Sequence, residues 1–235
     1  MRVVCFDLDD TLYKEIDFLE SAYKEIAEYA VGECGGYSAN LNSLALKAYN
    51  RMVDAYHNGQ NAFDELNKYL GINKPVSDYL YVYRNHKPRI VLSEEVERMF
   101  CSMVRFGLRI GLITDGRSVQ QRNKIEALGL KRWIEEEDII ISEEFGSEKP
   151  AKENYAYFMK RYSHCQSFIY VGDNVKKDFI APNRLGWETI GLMDDGRNIH
   201  KQTVSGLETE LLPKKWMLKM SELKDLLSQE QYLPR

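Results

Sequence analysis

Short apolar runs that end in Gly- or Asp-containing turns, each followed by an amphipathic stretch, recur through the second half of the chain. Runs of this length with a turn behind them read as buried strands, and stretches with apolar residues three and four apart read as helices. The pattern predicts strands over Arg2–Phe6 (RVVCF), Leu108–Ile113, Asp138–Ile141, Ser167–Val171 and Glu188–Gly191. Between them it predicts helices over Val119–Leu128, Glu153–Tyr162 and Lys176–Leu185. Such alternation implies the α/β class, a doubly wound parallel sheet with helices on both faces. The chemistry of that class gathers at the carboxyl ends of its strands.

Residues 14–87 break the rhythm. Four helical patterns follow one another there, Phe18–Cys34, Leu44–His57, Ala62–Leu70 and Val76–Tyr83, with no convincing strand. Gly35-Gly36, Asn58-Gly59 and Asn73-Lys74-Pro75 punctuate them as turns and helix ends. This stretch reads as a helical insertion into a core made of residues 1–13 and 88–235, with His86-Lys87-Pro88 as the return hinge. A last helix, Ser221–Leu227, takes Ser221 as its expected N-cap.

Composition narrows the classes further. With 44% hydrophobic and 29% charged residues the chain is an ordinary globular one, long enough at 235 residues for a domain and a smaller insert. A net charge of −4, with Lys and Arg interspersed among Asp and Glu, argues against a nucleic-acid surface. No apolar run approaches bilayer length, and the N-terminus enters a strand without the pattern of a secretory leader, so a cytoplasmic location without membrane contact is the expectation. Cys5, Cys34, Cys101 and Cys165 are scattered without metal-ligand spacing and read as reduced thiols.

Candidate chemistry lies at the strand ends. The first strand runs into Phe6-Asp7-Leu8-Asp9-Asp10-Thr11-Leu12, three carboxylates in four positions that repel one another unless a cation or ligand compensates. One such Asp is ordinarily a turn former or cap. Asp7 and Asp9 are different, because residues two apart in an extended segment share a side and can face one reacting centre. The second strand ends in Thr114-Asp115-Gly116-Arg117 before a helix, where a hydroxyl and backbone N–H groups can cradle phosphate. Lys149 follows the third strand in Ser147-Glu148-Lys149-Pro150. Asp173 and Asp178, hard oxygen ligands, follow the fourth in Val171-Gly172-Asp173-Asn174-Val175-Lys176-Lys177-Asp178.

Taken together, FDLDDTL, ITDGR, SEKP and VGDNVKKD resemble the four motifs of the haloacid dehalogenase (HAD) superfamily. The resemblance covers roughly residues 1–13 and 88–200, with the helical insertion where that superfamily carries its C1-type cap. It implies a Rossmann-like core and a Mg²⁺-dependent phosphatase acting on a small phosphorylated metabolite, a sugar phosphate or nucleotide. Asp7 would be the nucleophile that forms an aspartyl-phosphate, and Asp9 the acid/base. Thr114, the Asp115–Gly116 backbone and Lys149 would bind the phosphoryl group. Asp7, the Asp9 carbonyl and Asp173 would hold Mg²⁺, with Asp178 in support. Val175 departs from a Pro common among relatives, and Pro182 from a small residue. The same first motif would serve a phosphomutase, and a non-catalytic binding protein is the reading from another class. Tyr83-Arg84-Asn85-His86-Lys87 reads either as an anion contact or as a solvated linker, and Tyr49, Tyr56, Tyr79 and Tyr81 as core rather than stacking surface.

Overall fold

The computed structural model describes residues 2–33 and 41–229. The chain clusters into two units, Met1–Glu15 with Ile90–Arg235, and Ile16–Arg89.

The first unit is built on a six-stranded sheet: β1 Arg2–Phe6, β2 Arg109–Thr114, β3 Ile139–Ile141, β4 Ser167–Gly172, β5 Glu188–Leu192 and β6 Lys215–Met217. The strands lie in the order β3-β2-β1-β4-β5-β6, and every pairing is parallel. Parallel strands covered on both faces must be apolar almost throughout, as β1 and β3 are. Alternate residues of β1 serve opposite faces. Val3 and Cys5 join a cluster with Tyr155 and Phe158, whereas Phe6 meets the Phe100 ring edge-on at 5.5 Å. Phe158 lies on α8 (Glu153–Arg161) and Phe100 on α5 (Glu94–Arg105). The fold is doubly wound α/β. Its order reverses between β1 and β4, and the crevice at their carboxyl ends is where such sheets take their ligands.

The second unit is helical: α1 Glu15–Glu33, which starts one residue before the unit boundary, α2 Leu41–His57, α3 Ala62–Leu70 and α4 Val76–Asn85. Asn61 caps α3 by accepting the N–H groups of Phe63 and Asp64, and Gly71 ends it in the left-handed conformation. Tyr79 is fully buried, stacks on Phe63 and donates to Asn67 Oδ1 at 2.6 Å; Tyr81 is exposed. Cys34 and the Gly35-Gly36 turn lie outside the described residues.

Several elements differ from the sequence pattern. The helix expected over Lys176–Leu185 shrinks to α9 (Ile180–Arg184), because residues 174–178 form a turn around the Asp178 carboxylate, which accepts the N–H groups of Asp173 and Asn174. Ser221 does not cap the last helix: it sits inside a 3-10 turn, Met220–Glu222, ahead of α10 (Leu223–Gln229). Among the elements that the pattern did not predict are α5 and β6. The first has a clear helical stripe, Val96, Met99, Phe100 and Met103, behind the capping hydroxyl of Ser93. The second, Lys215-Trp216-Met217 on a sheet edge, is half-buried and opens on a charge, so no apolar run shows. Two further helices of the first unit flank the site, α6 (Ser118–Ala127) and the single turn α7 (Ser142–Phe145).

Candidate active site

The carboxyl ends of β1 and β4 and the loop after α7 bring four charged groups into one buried cluster. Asp7 extends the β1 ladder by one bond, its N–H donating to Val171 O at 2.9 Å, so its side chain is fixed by the sheet itself. The Lys149 ammonium lies 2.5 Å from Asp7 Oδ1 and 2.8 Å from Asp178 Oδ1, and donates to Tyr170 OH at 3.1 Å. One oxygen from each of Asp7, Asp173 and Asp178 lies within 4.8 Å of the others. Gly172 is obligatory beside them, because a Cβ there would meet Asp178 Oδ2 at 2.4 Å.

Three buried carboxylates around one ammonium leave a surplus of negative charge. Burial pushes Asp7 up to about 7, with Lys149 pulling it down and Asp178 pushing it further up. Burial, then the charges of Asp178, Asp7 and Asp10, pushes Asp173 up to about 9. Burial works against the charge on Lys149, yet Asp178, Asp7 and Asp115 hold its ammonium well above the ordinary value. All the carboxylate oxygens are hard donors suited to a small divalent cation, which would supply the missing positive charge. Asp178 is the least available of the three, since Oδ2 accepts two backbone N–H groups and Oδ1 faces Lys149. Its geometry is that of a brace for the 173–174 backbone and for the lysine.

This imbalance has a measurable consequence. A carboxyl whose folded value exceeds its unfolded one stabilises the fold fully only below the ordinary carboxylate range, and that contribution is lost as pH rises through the folded value. Asp7 at about 7 and Asp173 at about 9 therefore set the window. Without a cation, the unfolding temperature is expected to fall between pH 5 and pH 9 by roughly 10 °C or more. A divalent cation should restore it at the alkaline end. Thermal unfolding in a chelator across that range checks this, and a flat or rising profile would contradict it.

Asp9 points to different partners. Its Oδ1 accepts from Tyr13 OH at 2.5 Å and from Lys124 Nζ at 2.7 Å, and its Oδ2 from Gln121 Nε2 at 3.0 Å. Burial tends to raise this carboxyl, but the charge of Lys124 and the three hydrogen bonds outweigh it and hold Asp9 below its ordinary value. Lys124 and Gln121 both lie on α6 and are buried. Lys124 also lies 3.6 Å from Glu15, which burial and the neighbouring Asp9 push up to about 8. Gln121 Nε2 donates to Thr114 Oγ1 at 2.6 Å as well, so the Thr114 hydroxyl accepts there and keeps its own proton to donate.

The other expected phosphate contacts divide. Gly116 N–H is engaged by Ser142 Oγ at 3.0 Å. Its backbone, at φ 140°, passes so close to Gln121 that a Cβ would lie 3.2 Å from that side chain. The Asp115 carboxylate accepts Lys149 N–H at 3.0 Å and pairs with Lys177 at 3.0 Å, tying the β2 loop to the lysine loop.

The residues 4–192 match the family described as haloacid dehalogenase-like hydrolase. The chain is 31% identical to the glyceraldehyde 3-phosphate phosphatase of Methanocaldococcus jannaschii, over 82% of this chain and 85% of that one. It belongs to the haloacid dehalogenase-like hydrolase family. The enzyme of the same name from Methanopyrus kandleri is 27% identical over 81% of this chain and 83% of its own. The fold matches the HAD-hydrolase YfnB of Bacillus subtilis, crystallised bound to magnesium, with a TM-score of 0.66 and 19% identity over 96% and 98% of the two chains.

For this HAD-like hydrolase, the four motifs name the charged cluster but not what holds it. Tyr13, Gln121, Lys124 and Tyr170 had no signal of their own, since each reads as a surface or core position of its element. A polar Gln and Lys three apart on the buried side of α6 was the trace available in the sequence. In the helical unit, His86 turns inward. It is buried, lies 2.7 Å from Ser21 Oγ and pairs with Glu25 one helical turn further on.

Proposed function

We propose that the protein is a Mg²⁺-dependent phosphatase of small sugar phosphates, with three-carbon esters such as glyceraldehyde 3-phosphate the first to test. The observation that carries this reading is the buried cluster in which Lys149 lies 2.5 Å from Asp7 Oδ1 beside Asp173 and Asp178. The names of the curated relatives support the substrate class.

Asp7 attacks phosphorus with one carboxylate oxygen, forming an aspartyl-phosphate while the bond to the leaving oxygen breaks. Asp9 is held as a carboxylate here by Lys124, Tyr13 and Gln121, so it must first take up a proton to serve the leaving oxygen; as carboxylate it then takes one from the water that cleaves the intermediate. Lys149 and the Thr114 hydroxyl stabilise the phosphoryl oxygens, the lysine by charge and the hydroxyl by a directed bond. The Asp7 carboxylate, the Asp9 carbonyl and Asp173 would hold Mg²⁺, and Asp178 braces them. Bound there, Mg²⁺ would supply the positive charge that offsets these carboxylates and the phosphoryl group. Residues 14–87 are the cap of this reading, the segment in which substrate choice would lie.

The test is phosphate release from a panel of phosphomonoesters with and without Mg²⁺. Triose and other short sugar phosphates are expected to be hydrolysed faster than nucleotides, and only with the cation. A purified protein that releases phosphate from none of them would refute the reading.

A further inference from the structure

The loop after β5, residues 193–202, belongs to none of the motifs, yet it is fastened twice to Asp173 of the carboxylate cluster and once to Asp10. Asp194 Oδ1 accepts the N–H groups of Gly196 and Asn198, at 2.7 and 3.1 Å, and so gives the loop its turn. Ile199 N–H donates to Asp10 Oδ2 at 2.9 Å, while Asp10 Oδ1 accepts Glu15 N–H. Asp10 therefore ties this loop to the start of α1 instead of facing the site, and it does so from a left-handed backbone, φ 56°. Gln202 Nε2 donates to the backbone carbonyls of Asp173 and Leu192, at 2.7 and 2.8 Å.

Between these fastenings stands Asn198. Its Nδ2 donates to Asp173 Oδ2 at 2.9 Å, and its Oδ1 accepts from Lys14 Nζ at 2.7 Å. Chemistry fixes the orientation of the amide: an ammonium has only protons to give, so the atom facing Lys14 is the carbonyl oxygen, and the NH₂ group must face the carboxylate. Lys14 is itself held by Asp195 at 2.9 Å. At Asp173 Oδ1 the protein supplies a weaker contact, Thr11 Oγ1 at 3.4 Å.

We infer that Asn198 is a positioning residue for the cation site, pinning Oδ2 of Asp173 so that Oδ1 is presented to Mg²⁺, with Lys14 locking the amide in the donating orientation. The inference rests on the magnesium-dependent reading above and extends it to a loop outside the motifs. Physically, Asp173 is pushed away by Asp7 and Asp178, and a neutral N–H donor can hold its ionised carboxylate in place without competing for the cation. Partners of this kind set how tightly a metal is held rather than what the bound metal does.

The experiment compares wild type, Asn198→Ala and Lys14→Met in two magnesium titrations, one of the unfolding temperature and one of phosphate release. Asn198→Ala is expected to raise the magnesium concentration for half-effect about tenfold in both, with turnover at saturating magnesium close to wild type. Lys14→Met, which leaves the amide in place but unlocked, should move both in the same direction by less. The inference is overturned by unchanged titrations in both variants, or by a loss of turnover in them that no magnesium concentration restores. A wild type whose stability and turnover both ignore magnesium overturns the phosphatase reading as well. A magnesium-dependent wild type with an unshifted Asn198→Ala overturns this inference alone.

Discussion

Asp7→Asn lowers phosphate release by on the order of 10⁴-fold or more without lowering stability. On the proposed mechanism the amide keeps the shape of the carboxylate but lacks its nucleophilic oxygen, so no aspartyl-phosphate would form. Stability follows a separate argument. Burial already pushes Asp7 up to about 7, which means that the fold resists its charge. Neutralising it removes one of three repelling carboxylates, and Lys149 keeps Asp178 at 2.8 Å. In a chelator at pH 8 the variant should therefore unfold at or above the wild-type temperature, and magnesium should raise that temperature by less than in wild type. Turnover within tenfold of wild type would remove Asp7 from the nucleophile's role. A variant that unfolds early would instead point to a structural role for the charge.

The sequence carried the sheet and the charged tips of its strands, because both rest on local patterns. A fully buried parallel strand must be apolar, so five of the six strands stand out as runs; β6 does not, because Lys215-Trp216-Met217 is half-buried and opens on a charge, whereas the equally short edge strand β3 is three buried isoleucines. Singly, Asp7, Asp9, Lys149, Asp173 and Asp178 read as turn formers, caps or surface charges; they are visible because they follow successive strands of one sheet in one order. What local pattern cannot carry is the far side of each contact. Gln121 and Lys124 are more than a hundred residues from Asp9, and Asn198 is 25 residues from Asp173. Each looks like an ordinary polar residue of a helix or loop until the fold turns it inward. The shortened α9 has the same cause: Asp178, readable as a first-turn residue of a longer helix, takes backbone N–H groups that precede it and makes a turn instead.

Lys149→Met removes the ammonium that pairs with two carboxylates of this acidic cluster. The ammonium is fully buried and lies within 2.8 Å of both Asp7 and Asp178. Truncating one partner of a buried ion pair leaves the other's charge uncompensated, a loss of about 3–5 kcal/mol, larger than the pair itself is worth. In a chelator at neutral pH the variant should unfold well below wild type, and acid should narrow the gap as the carboxylates take up protons. Magnesium should also narrow it, by supplying positive charge among the same oxygens. Catalysis should not return with stability if, as proposed, the lysine also meets the charge that develops on the phosphoryl oxygens, an effect on the order of 10²–10³-fold in turnover. Adding Asp178→Asn separates the two roles. The double variant loses one surplus carboxylate, so it should regain part of the lost stability while remaining as slow as Lys149→Met. Equal unfolding temperatures for wild type and Lys149→Met in a chelator would show that the cluster is not held together by this charge. Recovery of turnover in the double variant would show that the lysine acts only by balancing Asp178, and not on the phosphoryl group.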